Sequence, residues 1–345
     1  MEKKKNNDKI LWRGERSVRY AGGEWMRGRL LGQGSFGRVN LAYFPDPSSR
    51  NFPGMPFITA VKSCPMSGPS EELATERKIL ERFKDCPSIV QCLGYDVTFD
   101  HEPLLNVFLE YASGGTLGDH VASARSGLPE PQVRRFTNSI LGAIHRVHQE
   151  GYVHCDVKLD NILLFERDDG LTAKLADFGL ARPACDFRPG MICGTELYWA
   201  PEVSISYGGI QGQPSDIWAL GCVVLAMLTG ALPCRGGHVT LPRRVFSESA
   251  EDFVYKCFRK DPQKRATAET LLHHPFITGA PEDSDFAFVD YYDDELAIES
   301  YLKEISEITN DDLAMESYLK EISEFTNDDL AMDSYLNEIS EFILV

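Results

Sequence analysis

The sequence predicts an α+β fold of two lobes, a small β-rich lobe followed by a larger helical lobe, with an acidic tail of helical repeats. Residues 30–42 have the pattern of a strand, a glycine-rich turn and a second strand. Helical patterns dominate from about residue 113 to residue 277, and a repeat with a period of 17 residues follows Pro281. The predicted units are an arm at residues 1–24, a two-lobed domain at residues 25–277 that divides after about residue 112, and the tail at residues 282–345.

The remaining elements of the small lobe are predicted from their apolar runs. Residues 1–24 are polar and charged with few apolar positions, which predicts a flexible arm. The β-branched run at residues 58–61 predicts a strand, and residues 71–84 predict a helix. A short apolar strand at residues 107–109 leads to a Ser-Gly-Gly turn, so we expect a sheet that carries one helix.

Most of the negative charge lies in the tail. The chain has a formal net charge of −17, and residues 282–345 hold 20 acidic residues and two lysines. The rest of the chain is near neutral, with 32 acidic and 33 basic residues. Because a tail of this charge would repel phosphates, we expect no nucleic-acid partner.

The composition also bears on where the protein works. No segment has the roughly 20 consecutive apolar residues of a membrane span, and the first residues lack the apolar core of a signal peptide, so we expect no membrane partner. The nine cysteines show no CxxC spacing, which favours reduced packing residues over a disulfide framework or a zinc site. These features predict a cytoplasmic or nuclear protein.

Three similar units make up the tail repeat, and they begin at Glu295, Asp312 and Asp329. Acidic residues in the first turn suit the N-terminus of a helix. The apolar residues of each unit share one helical face; in the middle unit they are Met315, Tyr318, Leu319, Ile322 and Phe325. Two interpretations stay open: the helices dock a protein partner or fold back on the domain, or they are a duplicated, solvated segment.

Two patterns in the small lobe point to phosphate binding. Gly32, Gly34 and Gly37 lie between two predicted strands, where backbone amides can approach phosphate oxygens. A glycine-rich hairpin is also typical of an ordinary turn, so this pattern alone is weak. Lys62 ends a predicted strand, and Glu76 on the following helix can supply the carboxylate that orients this lysine toward phosphates.

The most specific pattern is the run His-Cys-Asp-Val-Lys-Leu-Asp-Asn, which is followed further along the chain by Asp-Phe-Gly. Asp156 is placed to accept the proton of an attacking hydroxyl, and Lys158 to steady a transferring phosphoryl group. Asn161 and Asp177 offer the hard oxygen ligands that Mg²⁺ requires. Any one of these residues is common in a polar loop, but the ordered set predicts phosphoryl transfer.

These motifs, in this order, resemble those of the eukaryotic protein kinase family over about residues 25–277. The resemblance implies the bilobal protein kinase fold and transfer of the γ-phosphate of Mg-ATP to a protein hydroxyl, with ATP and Mg²⁺ as cofactors. It also implies that Arg265 pairs with Glu202 and that residues 110–112 hold adenine through their backbone. The nucleotide-binding positions that it implies are Leu31, Gly32, Gly34, Gly37, Val39, Ala60, Lys62, Glu110, Ala112 and Leu163.

Within the family, Lys158 and Thr195 match the branch that phosphorylates Ser and Thr rather than Tyr. The run Leu-Glu-Tyr-Ala-Ser-Gly-Gly-Thr-Leu from residue 109, together with His-Cys-Asp, resembles plant MAP kinase kinase kinases of the short, single-domain type. This resemblance implies a protein substrate, with a MAP kinase kinase as the candidate, and a role in a MAP kinase cascade.

The sequence departs from the family pattern in two places. Cys155 replaces an arginine that in many kinases binds a phosphate on the activation segment, and residues 180–193 contain no Ser, Thr or Tyr. We therefore expect activity that does not depend on phosphorylation of this loop, with Thr195 in contact with the catalytic loop. The stretch at residues 230–252 is short and rich in Gly and Pro, which predicts that a helix usual in the family is truncated.

A pseudokinase or scaffold, which binds ATP or partners without turnover, is the alternative function. The short stretch and the tail repeats favour this alternative. The active enzyme is favoured because every group whose loss usually inactivates such a site is present. These groups are Lys62, Glu76, Asp156, Asn161 and Asp177.

Overall fold

The computed structural model of the chain describes residues 19–21, 24–34, 37–46, 51–124, 126–168, 170–186, 192–203, 209–230, 234–235, 238–239 and 246–279. The tail predicted at residues 282–345 lies outside the described residues, as do residues 1–18 of the predicted arm. The described residues form a β-rich lobe followed by a helical lobe, which confirms the predicted α+β class and the order of the lobes.

The small lobe consists of one sheet and one helix. Its strands are β1 (Arg19–Ala21), β2 (Trp25–Gly34), β3 (Gly37–Tyr43), β4 (Ile58–Pro65), β5 (Cys92–Asp100) and β6 (Glu102–Leu109). They form a single antiparallel sheet in the order β1-β2-β3-β4-β6-β5. The helix α1 (Ser70–Arg82) buries Leu73, Glu76, Ile79 and Leu80, which share one face at helical spacing.

The structure corrects the prediction of a flexible arm at one point. Arg19–Ala21 pair with β2 in an antiparallel register that joins Arg19 to Arg27 and Ala21 to Trp25. The sequence between the two strands is Gly-Gly-Glu, and glycine-containing connections of this length are typical of hairpins. The prediction missed this strand because three residues are too few to show an alternating apolar pattern.

An aromatic cluster supports the sheet from one side. Trp25 packs edge-on against Phe108 with 5.0 Å between ring centroids, and Phe44 packs against Phe108 at the same distance. All three side chains are buried. Trp25 Nε1 also donates a hydrogen bond to Asp96 Oδ2 at 2.9 Å, which links β2 to β5. Such aromatic pairs contribute about 0.5–1.5 kcal/mol each beyond area burial, so the cluster stabilises the sheet.

The large lobe is built on two long helices, α3 (Glu130–Gln149) and α4 (Gln213–Thr229). Its other helices are α2 (Leu117–Ala124), α5 (Glu248–Cys257), α6 (Ala268–Leu272) and α7 (Pro275–Thr278). Three strand pairs join β7 (Tyr152–Val153) to β10 (Arg182–Pro183), β8 (Ile162–Arg167) to β9 (Gly170–Leu175), and β11 (Cys234–Arg235) to β12 (His238–Val239). None of the helices in the described stretches combines the length and the apolar character that a membrane crossing requires.

The helix α4 is buried along nearly its whole length, because its sequence is apolar on every side. It ends at Gly230, whose φ of 80° lies in the left-handed region that glycine adopts without strain. The described residues between Gly230 and α5 include the short strands β11 and β12, and most of the stretch in which a truncated helix is predicted lies outside the described residues. The helical pattern resumes at the N-cap Ser247, whose hydroxyl accepts from Ala250 N and donates to Glu130 Oε1.

Backbone hydrogen bonds join the two lobes behind the cleft. Val90 N donates to Leu175 O at 2.9 Å, and Leu175 N donates to Ser88 O at 2.8 Å. The β8–β9 hairpin of the large lobe is therefore fixed to the segment that leads into β5. As a result β4, α1 and the β8–β9 hairpin all border one cleft.

Candidate active site

Lys62 lies in this cleft between two carboxylates. Its Nζ is 2.7 Å from Glu76 Oε2 and 2.9 Å from Asp177 Oδ1. The strand β4 carries the lysine, α1 carries the glutamate, and the segment after β9 carries the aspartate. The side chains of Lys62 and Glu76 are buried, whereas Asp177 keeps 40% of its side-chain surface exposed. The structure thus brings together the predicted pair and adds Asp177 to it.

The charges of this group are set by burial and by one another. Burial alone would lower the pKa of Lys62, but Glu76 and Asp177 outweigh burial and raise it above its ordinary value. Burial raises the pKa of Glu76 by more than the Lys62 charge lowers it. Burial also acts to raise the pKa of Asp177, yet Lys62 and the Gly179 amide reverse this effect and hold the pKa below its ordinary range. The exposed carboxylate of Asp177 is therefore ionised in the cleft.

The backbone at Asp177 is strained. Its φ of 59° lies in the left-handed region, which costs a non-glycine residue about 1–2 kcal/mol. The neighbouring Phe178 is fully buried, and its ring lies 5.5 Å from that of Phe83 and 4.8 Å from that of His154. The buried ring anchors the turn, so that Asp177 is held at the cleft.

Asp156 is surrounded by donors. Its Oδ1 accepts from Thr195 N at 3.0 Å and from Thr195 Oγ1 at 2.9 Å. Its Oδ2 accepts from Asn161 Nδ2 and lies close to Lys158 Nζ, both at 2.9 Å. Lys158 Nζ also donates to Thr195 Oγ1 at 2.8 Å. Asp156, Lys158 and Asn161 therefore form one network with Thr195, which contacts the catalytic loop as predicted.

Asp216, in the first turn of α4, holds the backbone of this loop. Its Oδ1 accepts from Cys155 N at 3.0 Å, and its Oδ2 accepts from His154 N at 2.9 Å. His148 Nε2 lies 2.9 Å from the same Oδ2. Cys155 has a φ of 69°, so a second strained residue lies directly before Asp156. The buried carboxylate compensates for this strain by satisfying two adjacent backbone amides.

The predicted pairing of Arg265 with Glu202 is confirmed. Arg265 Nη2 donates to Glu202 Oε2 at 2.8 Å, and Arg265 Nη1 donates to Pro214 O at 2.8 Å. The guanidinium is buried and its carbon lies 5.1 Å from the centroid of the Trp218 ring. This pair fixes the segment after Thr195 to the start of α4.

The β2–β3 hairpin carries the predicted phosphate loop. A Cβ at Gly37 would lie 2.4 Å from Ser63 O, and the φ of Gly37 is 136°, so only glycine fits this position. A Cβ at Gly32 or Gly34 would meet nothing within 4 Å. Leu31 lies on the same strand with 36% of its surface exposed. The hairpin therefore packs closely at one glycine and leaves open space at the other two.

Apolar residues from both lobes line the cleft near the segment that joins the lobes. Ala60 is paired with Leu109 across β4 and β6, and Val39 lies on the adjoining strand β3. Leu163 and Ala112 pack with Leu109 against one buried cluster. Leu109 therefore links the strand that carries Ala60 to the apolar cluster that includes Ala112 and Leu163.

The joining segment leaves two backbone groups available for a planar ligand. Within the described residues, the Glu110 carbonyl oxygen and the Ala112 amide have no backbone partner. The Glu110 amide is used, because it donates to Gln91 O at 3.1 Å. Its carboxylate is also held, since Oε2 accepts from Lys174 Nζ at 2.6 Å and from Gln91 N at 3.1 Å. One acceptor and one donor in this arrangement match the edge of an adenine ring.

The contacts of Asn161 and Asp177 fit a metal site. Asn161 Nδ2 donates to the backbone and the carboxylate of Asp156, which leaves its Oδ1 as an acceptor. Asp177 Oδ1 accepts from Lys62 and Gly179, and no described residue donates to its Oδ2. The described residues contain no group of three His, Cys, Asp or Glu side chains that could hold a metal ion. Two oxygen ligands still suffice for Mg²⁺, which usually completes its shell with phosphates and water.

Sequence reasoning missed three residues that support the site. His148 contacts Asp216, Lys174 contacts Glu110, and Gln211 bridges the catalytic loop and the activation segment. Each of them is a single polar residue outside the motifs. Only Lys174 could have been noticed from the sequence, because a lysine in an apolar strand indicates a buried side chain that needs a partner.

The fold and these contacts define the class of the protein as a phosphotransferase of the protein kinase type. The family model of the protein kinase domain matches residues 25–277, a range that includes nearly all the described residues. The chain therefore belongs to the protein kinase family. A domain of this family uses ATP, generally with a divalent metal ion.

Its relatives confirm the predicted resemblance to plant MAP kinase kinase kinases. The chain is 40% identical to mitogen-activated protein kinase kinase kinase 20 of Arabidopsis thaliana, over 75% of this chain and 80% of that protein. It is 34% identical to mitogen-activated protein kinase kinase kinase 17 of the same plant, over 75% and 71%. Human mitogen-activated protein kinase kinase kinase 4 is 32% identical over 79% of this chain but only 17% of its own length. The chain is a Ser/Thr protein kinase.

Proposed function

We propose that the chain transfers the γ-phosphate of Mg-ATP to a Ser or Thr hydroxyl of a MAP kinase kinase, and that it does so without phosphorylation of its activation segment. The observation that carries the proposal is the contact of Lys62 with both Glu76 and Asp177. Phosphoryl transfer by a kinase needs the lysine–glutamate pair and the metal-binding aspartate in place at the same time.

In this proposal Lys62 binds the α- and β-phosphates, and Glu76 orients Lys62. Glu76 is the permanent partner because its side chain is only 2% exposed, whereas Asp177 is 40% exposed and can turn to a metal ion. Loss of the Lys62 charge would leave Glu76 as an unpaired buried acid, at a cost of about 3–5 kcal/mol. The pair therefore contributes both to stability and to the position of the nucleotide.

Asp156 is the base that accepts the proton of the substrate hydroxyl. Its two oxygens already have four close donors, from Thr195, Asn161 and Lys158, so a hydroxyl must replace one of them. Lys158 is the donor that moves, because its long side chain can turn toward the γ-phosphate and stabilise the charge there. Its departure opens one position on Asp156 Oδ2 when the phosphate arrives.

Asn161 and Asp177 would hold the Mg²⁺ ion, which would neutralise charge on the phosphates. The support for this assignment is chemical. Asp177 offers an ionised carboxylate, and the Asn161 amide is oriented by its two hydrogen bonds to Asp156. Both groups are hard oxygen ligands of the kind that Mg²⁺ prefers.

The proposal that activity does not require phosphorylation of the activation segment rests on the contacts made where other kinases bind the phosphate. Residues 180–193 contain no hydroxyl to phosphorylate, and Cys155 stands where many kinases have a basic partner. Gln211 instead donates to Cys155 O at 3.2 Å and to Cys193 O at 3.0 Å. A neutral amide thus links the two segments that a phosphate and an arginine link elsewhere.

The choice of substrate rests on the relatives, which are named as MAP kinase kinase kinases. The match covers most of the length of the two plant proteins. The contact of Lys158 with Thr195 supports a Ser or Thr acceptor. Cytoplasmic or nuclear location is supported by the cysteines, since eight of the nine are free thiols.

The test uses the full chain, treated with a phosphatase and then incubated with labelled Mg-ATP and a MAP kinase kinase whose own catalytic lysine is mutated. We expect label on Ser or Thr of the substrate. Lys62→Met and Asp177→Asn are the negative controls, and each should lower the rate by roughly 100-fold or more. EDTA should stop the transfer, and added Mg²⁺ should restore it.

Two results would overturn parts of this proposal. Activity that is lost on phosphatase treatment and returns with phosphate on the activation segment would contradict independence from phosphorylation. Nucleotide binding by the wild-type chain without any transfer, under conditions in which an authentic kinase labels the same substrate, would favour the scaffold.

A further inference from the structure

Cys155 and Cys193 lie against each other where the catalytic loop meets the activation segment. The two thiols are close enough for each to shift the pKa of the other. The two backbones also adjoin, because a Cβ at Gly194 would lie 2.3 Å from Cys155 O. Thiols on neighbouring backbones need little movement to reach the geometry of a disulfide.

Gln211 holds the two backbones in this register. Its Nε2 donates to Cys155 O at 3.2 Å and to Cys193 O at 3.0 Å, and its Oε1 accepts from the amide and the thiol of Cys193, both at 3.3 Å. Arg182 Nη2 donates to Gln211 O at 3.3 Å. Gln211 is 7% exposed, so this is an interior contact that keeps the two cysteines side by side.

We propose that Cys155 and Cys193 form an oxidative modification site, at which a peroxide converts the two thiols into a disulfide that ties the activation segment to the catalytic loop. A phosphate and an arginine join the same two segments in kinases with the usual pattern. This chain has a thiol on each segment instead. The inference goes beyond the proposed function and depends only on the kinase fold.

The reaction balances with one hydrogen peroxide molecule. The Cys193 thiolate attacks one peroxide oxygen, the O–O bond breaks, and the released hydroxide takes up a proton to become water, leaving Cys193 as a sulfenic acid. The Cys155 sulfur then attacks the Cys193 sulfur and the S–O bond breaks. The second water leaves with the Cys155 proton. The two thiols are oxidised by two electrons in total, and the peroxide is reduced to two waters.

Cys193 is the first sulfur to react. The neighbouring Cys155 thiol lowers the pKa of Cys193 to about 7, against the effect of burial and with help from the Arg182 charge. The neighbouring Cys193, together with burial, raises the pKa of Cys155, which stays a thiol until the second step. Cys155 is only 5% exposed and Cys193 is partly exposed, so a peroxide reaches Cys193 first.

The disulfide should preserve the catalytic arrangement. Thr195, two residues after Cys193, already donates to Asp156 while Gln211 holds the Cys155 and Cys193 backbones together. Closing the S–S bond therefore does not draw the activation segment away from the site. A cross-link over a loop of this length also restrains the unfolded chain, so we expect Tm to rise by roughly 5 °C. The rate of phosphoryl transfer should stay within about twofold of the reduced protein.

The test oxidises the full chain with a small excess of hydrogen peroxide and maps its disulfides by mass spectrometry without reduction. Cleavage at Asp and at basic residues separates Cys193 from Cys185, because Asp186 lies between them. Cys155→Ser and Cys193→Ser are the test variants. Cys185→Ser is the matched control, because Cys185 is an exposed thiol in the same segment. Tm and kinase activity are measured before oxidation, after it, and after added dithiothreitol.

We expect a cross-linked peptide with Cys155 and Cys193 in the wild-type and Cys185→Ser proteins, a rise in Tm that the reductant reverses, and neither change in the two test variants. A link from Cys185 to Cys193, an oxidised Cys193 without any link, or a link that lowers activity tenfold would each refute the proposal. The disulfide is identified by mass, whereas the kinase function is measured by phosphoryl transfer. Absence of the disulfide would therefore not contradict the kinase function, and an inactive reduced protein would not contradict the disulfide.

Discussion

His154 shows how one buried side chain depends on its charge state. Its Nε2 lies 3.1 Å from Ala176 O, so Nε2 carries the proton, and its Nδ1 accepts from Asp156 N at 3.3 Å. Burial lowers the pKa of His154, and the carboxylates of Asp216, Asp156 and Asp177 oppose burial only in part. A proton on Nδ1 would place an N–H donor opposite the Asp156 N–H, and the hydrogen bond between them would be lost. The neutral ring is therefore the form that the fold accepts.

We expect His154→Gln to remove part of the pH dependence of stability. The pKa of His154 is lower in the folded protein than its ordinary value of 6.5, so below pH 6.5 the unfolded chain binds a proton that the folded chain does not. Stability should therefore fall as the pH decreases from 6.5, by up to about 1.4 kcal/mol per pH unit. Urea unfolding at two pH values, one on each side of 6.5, measures this effect. Equal pH effects in the wild type and the variant would contradict it.

Gly37 and Gly32 are a matched pair of glycines in one hairpin. Gly37→Ala should lower Tm by roughly 5–10 °C, because its φ of 136° and the 2.4 Å approach to Ser63 O both oppose a side chain. Gly32→Ala should leave Tm within about 2 °C and raise KM for ATP, because its methyl group enters open space beside the cleft. Thermal unfolding and steady-state kinetics separate the two effects. Equal losses of Tm would show that the hairpin is not packed as described.

At the scale of elements, the ion pair of Lys174 and Glu110 links β9 to the segment that joins the lobes. Lys174 is 4% exposed, and its Nζ lies 2.6 Å from Glu110 Oε2 and 4.9 Å from the centroid of the Phe165 ring. Gln91 N donates to the same carboxylate oxygen. The pair thus holds the backbone whose carbonyl and amide groups face the adenine position in the proposed function.

We expect Lys174→Met to raise KM for ATP by roughly tenfold, which corresponds to about 1.4 kcal/mol, with a smaller change in kcat. The reason is that the Glu110 carboxylate loses its charged partner and the joining segment loses its fixed position. The double variant with Glu110→Gln should be less impaired than the sum of the two single variants, because each single change leaves one polar group unpaired. An additive double variant, or an effect on kcat alone, would contradict a positioning role for this pair.

The catalytic elements could be predicted from the sequence because their chemistry is local. The runs that contain Asp156 and Asp177 keep their residues in a fixed order, and the glycine turn lies between two strand patterns. The pair of Lys174 and Glu110 joins residues 64 positions apart, and no local pattern encodes such a contact. The strand β1 was missed for a related reason, since its pairing with β2 rather than its own three residues defines it.

At the scale of the whole molecule, charge divides the chain into two parts with different physical behaviour. The full chain has a net charge of −17, whereas residues 1–281 alone have 33 basic and 32 acidic residues. A protein with almost no net charge tends to self-associate, and a strongly charged tail opposes this. We therefore expect a chain truncated after Pro281 to self-associate near neutral pH in light scattering and to keep its kinase activity on a short peptide, since the matched kinase domain ends at residue 277.

A second variant distinguishes charge from docking. Replacing Tyr301, Tyr318 and Tyr335 by Ser keeps every charge of the tail and removes one apolar residue from each predicted helical face. If the tail acts through its charge alone, this variant should match the wild type in light scattering and in recovery of a MAP kinase kinase. If the repeats dock that partner, the variant should remain monodisperse but lose the partner, because apolar stripes supply most of the binding energy of an amphipathic helix. A truncated chain without peptide kinase activity would contradict both accounts, because it would make the tail part of the catalytic fold.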